Sequence, residues 1–556
     1  MEERIMAHVT LIRPPVVAPI DTVNQQVGTP PLGMAYLAGS LKTHGHDVTS
    51  IDALGEDVHR VTRLANINVK DIQIHGINID AIVAKIPRDT DVIGVSCMFS
   101  NEWLYARHLI NKIRLSFAHV PIISGGEHIT SESYRSMLST PALTACALGE
   151  GEETINDLVD AFVAGGNLAE VRGIAYFDEN GNYRKTDRRL RIKELDDIPL
   201  PSWDGIPLHN YLDAGLGNGT MEKRAMPMLA SRGCPYQCTF CSSPSMWGIR
   251  WISRDPELVV DEIKSYIRRY NINHVDFNDL TTVINREWII AFCKLLISNG
   301  MAITWSMSSG TRSEALDHEV LSYMKKAGVE RVTYAPESGS IETLARINKK
   351  VKPARMAQSI RSSVKVGIFT RANFIFGLPG QTNYEALQSV GFLTKLSILG
   401  MHDIAVTHFV PYPGSQLFET LVQDGKLQTN EAYEEFLLEN VSTKVTRMKS
   451  WSKHIPDWAM PLWVIGTISY FYALQYLIRP HRLFALCYRL LKGKPVSSTE
   501  AIIYGLYIKF FKRKERQVSE FEYLERVNLP VVGAVRRQSD DPAIIINSGN
   551  PARGLI

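Results

Sequence analysis

Arg232-Gly-Cys-Pro-Tyr-Gln-Cys-Thr-Phe-Cys241 is the stretch that decides how this chain is read. Cys234, Cys238 and Cys241 follow one another as C-x3-C-x2-C. Three thiolates this close can hold three irons of a cuboidal [4Fe–4S] cluster and leave the fourth iron open to a substrate or cofactor. An open metal position means chemistry, where a closed four-ligand site usually means structure. The same residues could instead supply part of a zinc site completed by a distant ligand. Immediately upstream, Met226-Pro-Met-Leu-Ala-Ser231 reads as a strand, and Gly233 and Pro235 belong to the loop that leaves it.

Downstream, the alternation of strand and helix continues to about residue 418. Residues 256–270 carry apolar Leu258, Val259, Ile263 and Ile267 at helical spacing. His274-Val-Asp-Phe-Asn-Asp279 is a strand with its exit loop. Residues 303–307 lead to Gly310-Thr-Arg312, and residues 331–335 lead to Pro336-Glu-Ser-Gly339. Residues 371–376 lead to Gly377-Leu-Pro-Gly380, and residues 403–407 to Pro411-Tyr-Pro-Gly-Ser415. With the strand before the cysteines this makes six strands. Each has polar or glycine-rich residues at its carboxyl end, the layout of a barrel active site.

The first two hundred residues show a second alternation. Val9-Thr-Leu-Ile12, residues 48–51, Asp91-Val-Ile-Gly-Val-Ser96, Pro121-Ile-Ile-Ser124 and residues 142–148 read as buried strands. Helical stretches separate them at residues 31–41, 103–113 and up to residue 162. Such alternation predicts an open parallel sheet, whose ligands bind beyond the carboxyl ends of the strands. Gly33, Gly125, Gly126, Gly149 and Gly151 lie in the adjoining loops and helix starts, where backbone can approach a ligand closely. A hairpin at residues 173–183 turns at Asn180-Gly181, and Leu195-Asp-Asp-Ile-Pro-Leu-Pro-Ser-Trp203 reads as a linker.

Composition sets outer limits. A chain of 556 residues suggests about two to four domains. Its 45% hydrophobic and 21% charged residues are those of a folded, water-soluble protein, and a net charge of +3 is too small to argue for nucleic acid. Cys97, Cys146, Cys293 and Cys487 are scattered singly, as buried core cysteines are. No disulfide framework is visible, which suits a reducing cytoplasm, and the acidic start Met1-Glu-Glu-Arg-Ile-Met is no signal peptide.

The cysteine run, with Phe240 before its third thiol and Glu337 and Arg312 at later strand ends, resembles the radical S-adenosylmethionine (SAM) enzymes. The segments Pro-Pro-Leu-Gly-Met-Ala-Tyr-Leu (30–37), Gly-Gly-Glu-His (125–128) and Gly-Glu-Gly-Glu (149–152) resemble the cobalamin-binding domain that precedes many of them. The resemblance covers residues 9–418. It implies an α/β protein with an N-terminal Rossmann-like cobalamin-binding domain, a partial (β/α)6 radical SAM barrel and a mainly helical C-terminal domain. It implies three cofactors: a [4Fe–4S] cluster held by Cys234, Cys238 and Cys241, SAM on the open iron, and cobalamin. Phe240 matches the position lying against adenine, Glu337 one that contacts SAM, and Arg312 one that meets the SAM carboxylate, where a cation is sensible. Asp279 stands where relatives often carry two acids, and Asn278 departs from that pattern. Gly33, Gly125, Gly126, Gly149, Glu150 and Gly151 fall to the cobalamin. The Asp-x-His-x-x-Gly that supplies a cobalt ligand elsewhere is not found here, and His44, His46 and His128 read as loop or surface histidines.

The activity this implies is C-methylation of an unactivated carbon of a natural product or similar small molecule. One SAM would methylate the cobalamin and a second would yield the radical that activates the substrate. The alternative is oxidation or cyclisation without methyl transfer, as in the anaerobic magnesium-protoporphyrin ester cyclases, or modification of a lipid. A low-potential donor of flavodoxin or ferredoxin type is the implied partner. The expected limits are residues 1–195 for the cobalamin domain with its hairpin, 196–222 for a linker, 223–425 for the barrel, 426–535 for the helical domain and 536–556 for a disordered tail. Within the helical domain, residues 458–478 carry no charge, and residues 502–511 are apolar and aromatic before a basic cluster at 512–516. These segments read first as buried helices over the barrel mouth. A peripheral membrane contact is the second reading, because aromatics beside basic residues suit an interface. A true span is the third.

Overall fold

The computed structural model describes residues 6–20, 28–65, 69, 72–217, 223–440, 448–492, 500 and 521–524. The expected apolar run 502–511, the basic cluster 512–516 and the tail 536–556 lie outside the described residues.

Two sheets carry the architecture. The first contains β1 (His8–Arg13), β2 (Asp47–Asp52), β3 (Val92–Ser96), β4 (Ile122–Gly125), β5 (Ala145–Ala147), β6 (Ile174–Phe177) and β7 (Tyr183–Lys185). Their spatial order is β7-β6-β5-β4-β3-β1-β2. Strands β2, β1, β3, β4 and β5 are parallel, with Val9 beside both Val48 and Val92 and Ile123 beside Ala145. The antiparallel hairpin β6–β7 closes one edge. Chain order reverses between β1 and β3, the switch point where doubly wound sheets bind ligands at their carboxyl ends. These strands form because short β-branched runs, buried on both faces, are each stopped by a turn signal. Leu32–His44 and Glu152–Ala164 cover one face, both ended by left-handed glycines, Gly45 and Gly165.

The second sheet contains β8 (Ala225–Met228), β9 (His274–Phe277), β10 (Thr304–Thr311), β11 (Val329–Glu337), β12 (Phe369–Phe376) and β13 (Asp403–His408), paired in chain order. All five pairings are parallel. Outward residues such as Phe277, Trp305 and Phe374 are buried against the surrounding helices. The register slips between Met307 and Thr311 and again between Tyr334 and Glu337. Such irregularities re-aim side chains and concentrate beside active sites.

The linker is a packed layer. Trp203, Ile206, Leu208 and Leu212 are buried in one core shared by both sheets. Gly39 is required there, because a Cβ would lie 2.2 Å from the Leu200 carbonyl oxygen.

The C-terminal region is helical through Glu431–Asn440, Thr467–Ile478 and Pro480–Lys492. It does not sit over the barrel mouth throughout. Thr467–Ile478 lies along the side of the barrel, beside the helix Asn383–Leu399. Trp463 stacks on Phe376, Tyr472 bonds Asp403, and Gln475 donates to the Ser397 carbonyl. The expected helical stretch also contains a strand, Phe521–Tyr523, which pairs in parallel with Val61–Ala65 of the N-terminal unit. Its hydrophobic pattern is too short to separate from the surrounding sequence.

Candidate active site

The cysteine loop leaves β8 and is held from several sides. Gly233 has φ 87°, and a Cβ on it would meet the Arg250 carbonyl oxygen at 2.1 Å, so only glycine fits. Thr239 donates its backbone N–H to the Ile347 carbonyl and accepts one from Leu417. Cys234, Cys238 and Cys241 are partly exposed and Cys97, Cys146 and Cys293 are buried, whereas Cys487, expected in the core, is exposed on the helix Pro480–Lys492. Burial pushes the Cys238 thiol up to about 11 and also raises Cys241. A metal must therefore displace protons to bind them.

Around this loop lie the side chains expected at SAM. Phe240 packs against an apolar group that includes Phe409, Phe418 and Leu437. Glu337 is buried at the second register slip with φ 62°, a left-handed conformation rare outside glycine. Its carboxylate accepts from Lys349 at 3.0 Å, and both side chains are less than 10% exposed. Burial opposes the Lys349 charge, but Glu337 and Cys238 outweigh it and hold the ammonium above the usual lysine range. Lys349 also lies 5.8 Å from the Phe240 ring. Arg312, just past the first slip, stacks at 3.5 Å over Tyr236 of the cysteine loop. Its Nε and Nη2 donate to Glu314, and Nη2 also to the Lys350 carbonyl. The third nitrogen, Nη1, is buried without an acceptor among the described residues. A buried, unsatisfied guanidinium nitrogen beside a cluster loop fits an incoming carboxylate.

Lys349 and Tyr236 were not singled out from the sequence. Lys349 stands in Asn348-Lys-Lys350, which looks like any solvated loop, and Tyr236 carries no signal beyond its place between two cysteines. Asp279 does not reach toward an open site. It is fully buried, accepting from Ser231 Oγ and the Ala230 N–H, and burial lifts it to about 6. It positions the strand end that feeds the cysteine loop.

The carboxyl edge of the first sheet faces this loop. Gly126, with φ 118°, lets two strand-end loops meet, since a Cβ would be 2.4 Å from the Cys97 carbonyl oxygen. Gly125 ends β4, and Gly151 presses on Leu37. Gly33 faces open space, and Gly149 meets only the Met246 carbonyl, 3.9 Å from where its Cβ would be. Of these glycines, Gly33 and Gly149 are the ones that leave space in front of the sheet edge, whereas Gly125, Gly126 and Gly151 are packed against protein. Glu150 has another task. Its carboxylate takes bonds from Arg191, the Ile192 N–H and Arg232. Arg232, the residue two before Cys234, also reaches Glu152 at 2.5 Å and lies over Tyr36 and Trp247. Ser242, just after Cys241, donates to Glu127. Cluster loop and sheet edge are thus fastened directly together.

The three histidines are committed elsewhere. His44 and His46 lie at the opposite, amino edge of the sheet, beside Asp160. His128 is buried against Trp103, bonded to Ser100 and Ser136, and burial lowers it to about 3.

Comparison with known proteins agrees with this geometry. Residues 228–393 match the family model of the radical SAM superfamily, and residues 21–159 match that of the B12 binding domain. An uncharacterised methyltransferase of Pyrococcus horikoshii is 32% identical over 423 residues, spanning 76% of this chain and 84% of the relative. The anaerobic magnesium-protoporphyrin IX monomethyl ester cyclase of Rubrivivax gelatinosus is 29% identical over 399 residues, 70% of this chain and 66% of its own. A solved radical SAM methyltransferase from Kitasatospora setae shares the fold with a TM-score of 0.62 at 15% identity, covering 84% of this chain and 89% of that one. The chain belongs to the B12-binding radical SAM enzymes, a family that includes both methyltransferases and magnesium-protoporphyrin monomethyl ester cyclases. Its cofactors are a [4Fe–4S] cluster, SAM and cobalamin, which sets the zinc alternative aside, and the chemistry requires a reductant and a small-molecule substrate.

Proposed function

We propose that the protein is a cobalamin-dependent C-methyltransferase acting on an unactivated carbon of a small molecule. The observation that carries this reading is the direct fastening of the cysteine loop to the glycine-lined sheet edge through Arg232, Glu150 and Glu152. Group transfer between two cofactors needs their sites in contact and held still. The likeness to a methyltransferase across most of both chains supports the same reading.

When bound, the cluster supplies the electron that opens SAM, and cobalamin carries the methyl group. Every other part falls to the protein. Cys234, Cys238 and Cys241 hold the iron and leave one position open. Arg312 Nη1 receives the SAM carboxylate, Phe240 lies on the adenine side, and the Glu337–Lys349 pair orients the remaining polar groups. Gly33, Gly125, Gly126, Gly149 and Gly151 shape the corrinoid opening, with Glu150 as the residue that positions its loop. The apolar cover of Phe409, Phe418 and Leu437 excludes water from the Phe240 side. A flavodoxin- or ferredoxin-type donor is the partner this site requires. The working division keeps residues 1–195, 196–222, 223–425 and 426–535 as units, with residues 521–523 added to the first.

The test is anaerobic turnover of reconstituted enzyme with a low-potential reductant, scoring SAM-derived products by mass spectrometry. Methyl transfer yields S-adenosylhomocysteine and 5′-deoxyadenosine together, with substrate gaining one CH2. Formation of 5′-deoxyadenosine alone, with corrinoid bound, refutes it and favours cyclase-like oxidation, the reading the Rubrivivax relative supports.

A further inference from the structure

Residues 458–492 contain no Asp or Glu. Over residues 458–514 there is one acid, Glu500, against four Arg and five Lys. The same segment holds large apolar side chains in the open. Leu477 is 80% exposed, Phe484 74% and Leu491 77%, joined by Trp458, Leu462 and Tyr488.

These residues are arranged by helix periodicity. In Thr467–Ile478 the buried positions Thr467, Phe471 and Gln475 face the barrel, Tyr470 bonds Thr394 of the neighbouring helix at the edge of that contact, and Leu477 faces away. In Pro480–Lys492, Phe484, Tyr488 and Leu491 stand at i, i+4 and i+7, and Leu486 is buried opposite. Asp457–Ile478 is long and apolar enough to cross a bilayer, yet it cannot leave the barrel cheaply. Doing so would strand Gln475 and Arg479, both of which donate to the Ser397 carbonyl, and Arg482, which donates to the Met401 carbonyl. One face is therefore fixed on protein, and the other is apolar and aromatic, with Lys492 at its end and Arg489 paired with Glu500, in a stretch of sequence with nine basic residues and one acid.

We propose that residues 457–492 form an interfacial anchor that lays this face on an anionic lipid bilayer without spanning it. Aromatic residues with polar tips prefer the headgroup level, and basic residues there are drawn to anionic lipid. The anchor starts at the catalytic end of the barrel. Met460 lies against Gly377 and Trp463 against Phe376, both at the carboxyl end of β12. Docking therefore brings that rim toward the membrane surface.

The test is flotation of the full chain with vesicles of phosphatidylcholine alone or mixed equally with phosphatidylglycerol. Binding to the mixed vesicles should exceed binding to neutral ones by about tenfold and weaken with added salt. Phe484→Asp and Leu491→Asp should each lower partitioning by about tenfold, since burying such a side chain is worth 1.4 kcal/mol or more. Unchanged thermal unfolding and iron content of both variants would exclude misfolding as the cause. Wild-type protein that stays with the soluble fraction in both mixtures overturns the proposal. So does binding that resists alkaline carbonate, which indicates a span. A lipid-independent dimer that Phe484→Asp converts to monomer also overturns it, since a second copy then covers the face.

Discussion

Replacing Arg232 by Met probes the joint between the two cofactor sites. The side chain keeps its volume and apolar stem but loses its charge. In the native protein Arg232 sits 2.5 Å from Glu152 and 3.3 Å from Glu150, with all three side chains at most 8% exposed. Removing one partner of a buried ion pair destabilises by about 3–5 kcal/mol, because the remaining charge is left without compensation. Burial alone would push Glu152 up. The charge and hydrogen bonds of Arg232 more than reverse this and hold it below the ordinary 4.5. The stability Glu152 contributes is therefore present above its unfolded value and lost as pH falls through its lower folded value. In Arg232→Met the opposing effect is gone, and the buried Glu152 carboxylate takes up a proton more readily than in the unfolded chain. Urea unfolding of the apoprotein should show a deficit of about 3–5 kcal/mol at neutral pH that starts to narrow above about pH 4.5, where Glu152 of the variant protonates first, and goes on narrowing through that value. Adding Glu152→Gln to Arg232→Met should recover part of the loss, giving a coupling of at least about 1 kcal/mol. A deficit under about 1 kcal/mol at neutral pH, or one that persists unchanged in acid, would refute the reasoning.

Cys238→Ala should lower iron per chain and abolish SAM cleavage while leaving corrinoid binding intact, as read from iron assay and corrinoid absorbance. Arg312→Lys should weaken SAM binding by about tenfold in anaerobic calorimetry without changing iron content, because a point charge replaces a guanidinium fork stacked on Tyr236. Gly33→Leu fills open space in front of the first sheet, so apoprotein unfolding should be nearly unchanged while corrinoid retention falls by about tenfold or more. His128, buried and lowered to about 3, takes up a proton in the unfolded chain near its ordinary 6.5 but not in the native one, so it removes stability as pH drops between those values. His128→Gln should flatten the acid limb of the unfolding profile by about 1.4 kcal/mol per pH unit across that window.

Much of the frame could be read before any coordinates. Strands such as β3 and β4 are short apolar runs rich in Val and Ile and stopped by turn residues, and local pattern alone sets them within a residue or two. The resemblance to radical SAM enzymes singled out Phe240, Arg312 and Glu337, and the structure places all three around the cysteine loop. What was not legible depends on distant partners. Glu150 looks like a loop acid free to meet a ligand, but its partner Arg232 is 82 residues away. Asp279 meets Ser231 across 48 residues. Lys349 differs from its neighbour Lys350 only in which way the chain turns after Asn348, itself at φ 51°. The helix Thr467–Ile478 was legible as apolar, but apolarity alone cannot say whether a helix lies over a barrel, beside it or in a bilayer.

The strand Phe521–Tyr523 has a consequence for how the molecule comes into being. It adds to Val61–Ala65, and Glu522 accepts from the Ile79 N–H and from Tyr105 OH. Those contacts join residues 443 and 417 positions apart. During synthesis the N-terminal unit therefore emerges early with Tyr105, otherwise buried, still lacking its acceptor. It can complete itself only after the barrel and the anchor helices have been made. Long-range closure of this kind is slow, and it leaves a sheet edge open while the nascent chain grows. The last described strand thus acts as a latch on assembly. A chain cut short after the anchor helices would keep every cysteine of the cluster loop and still leave Val61–Ala65, at the edge of a small four-stranded sheet, unpaired on one side.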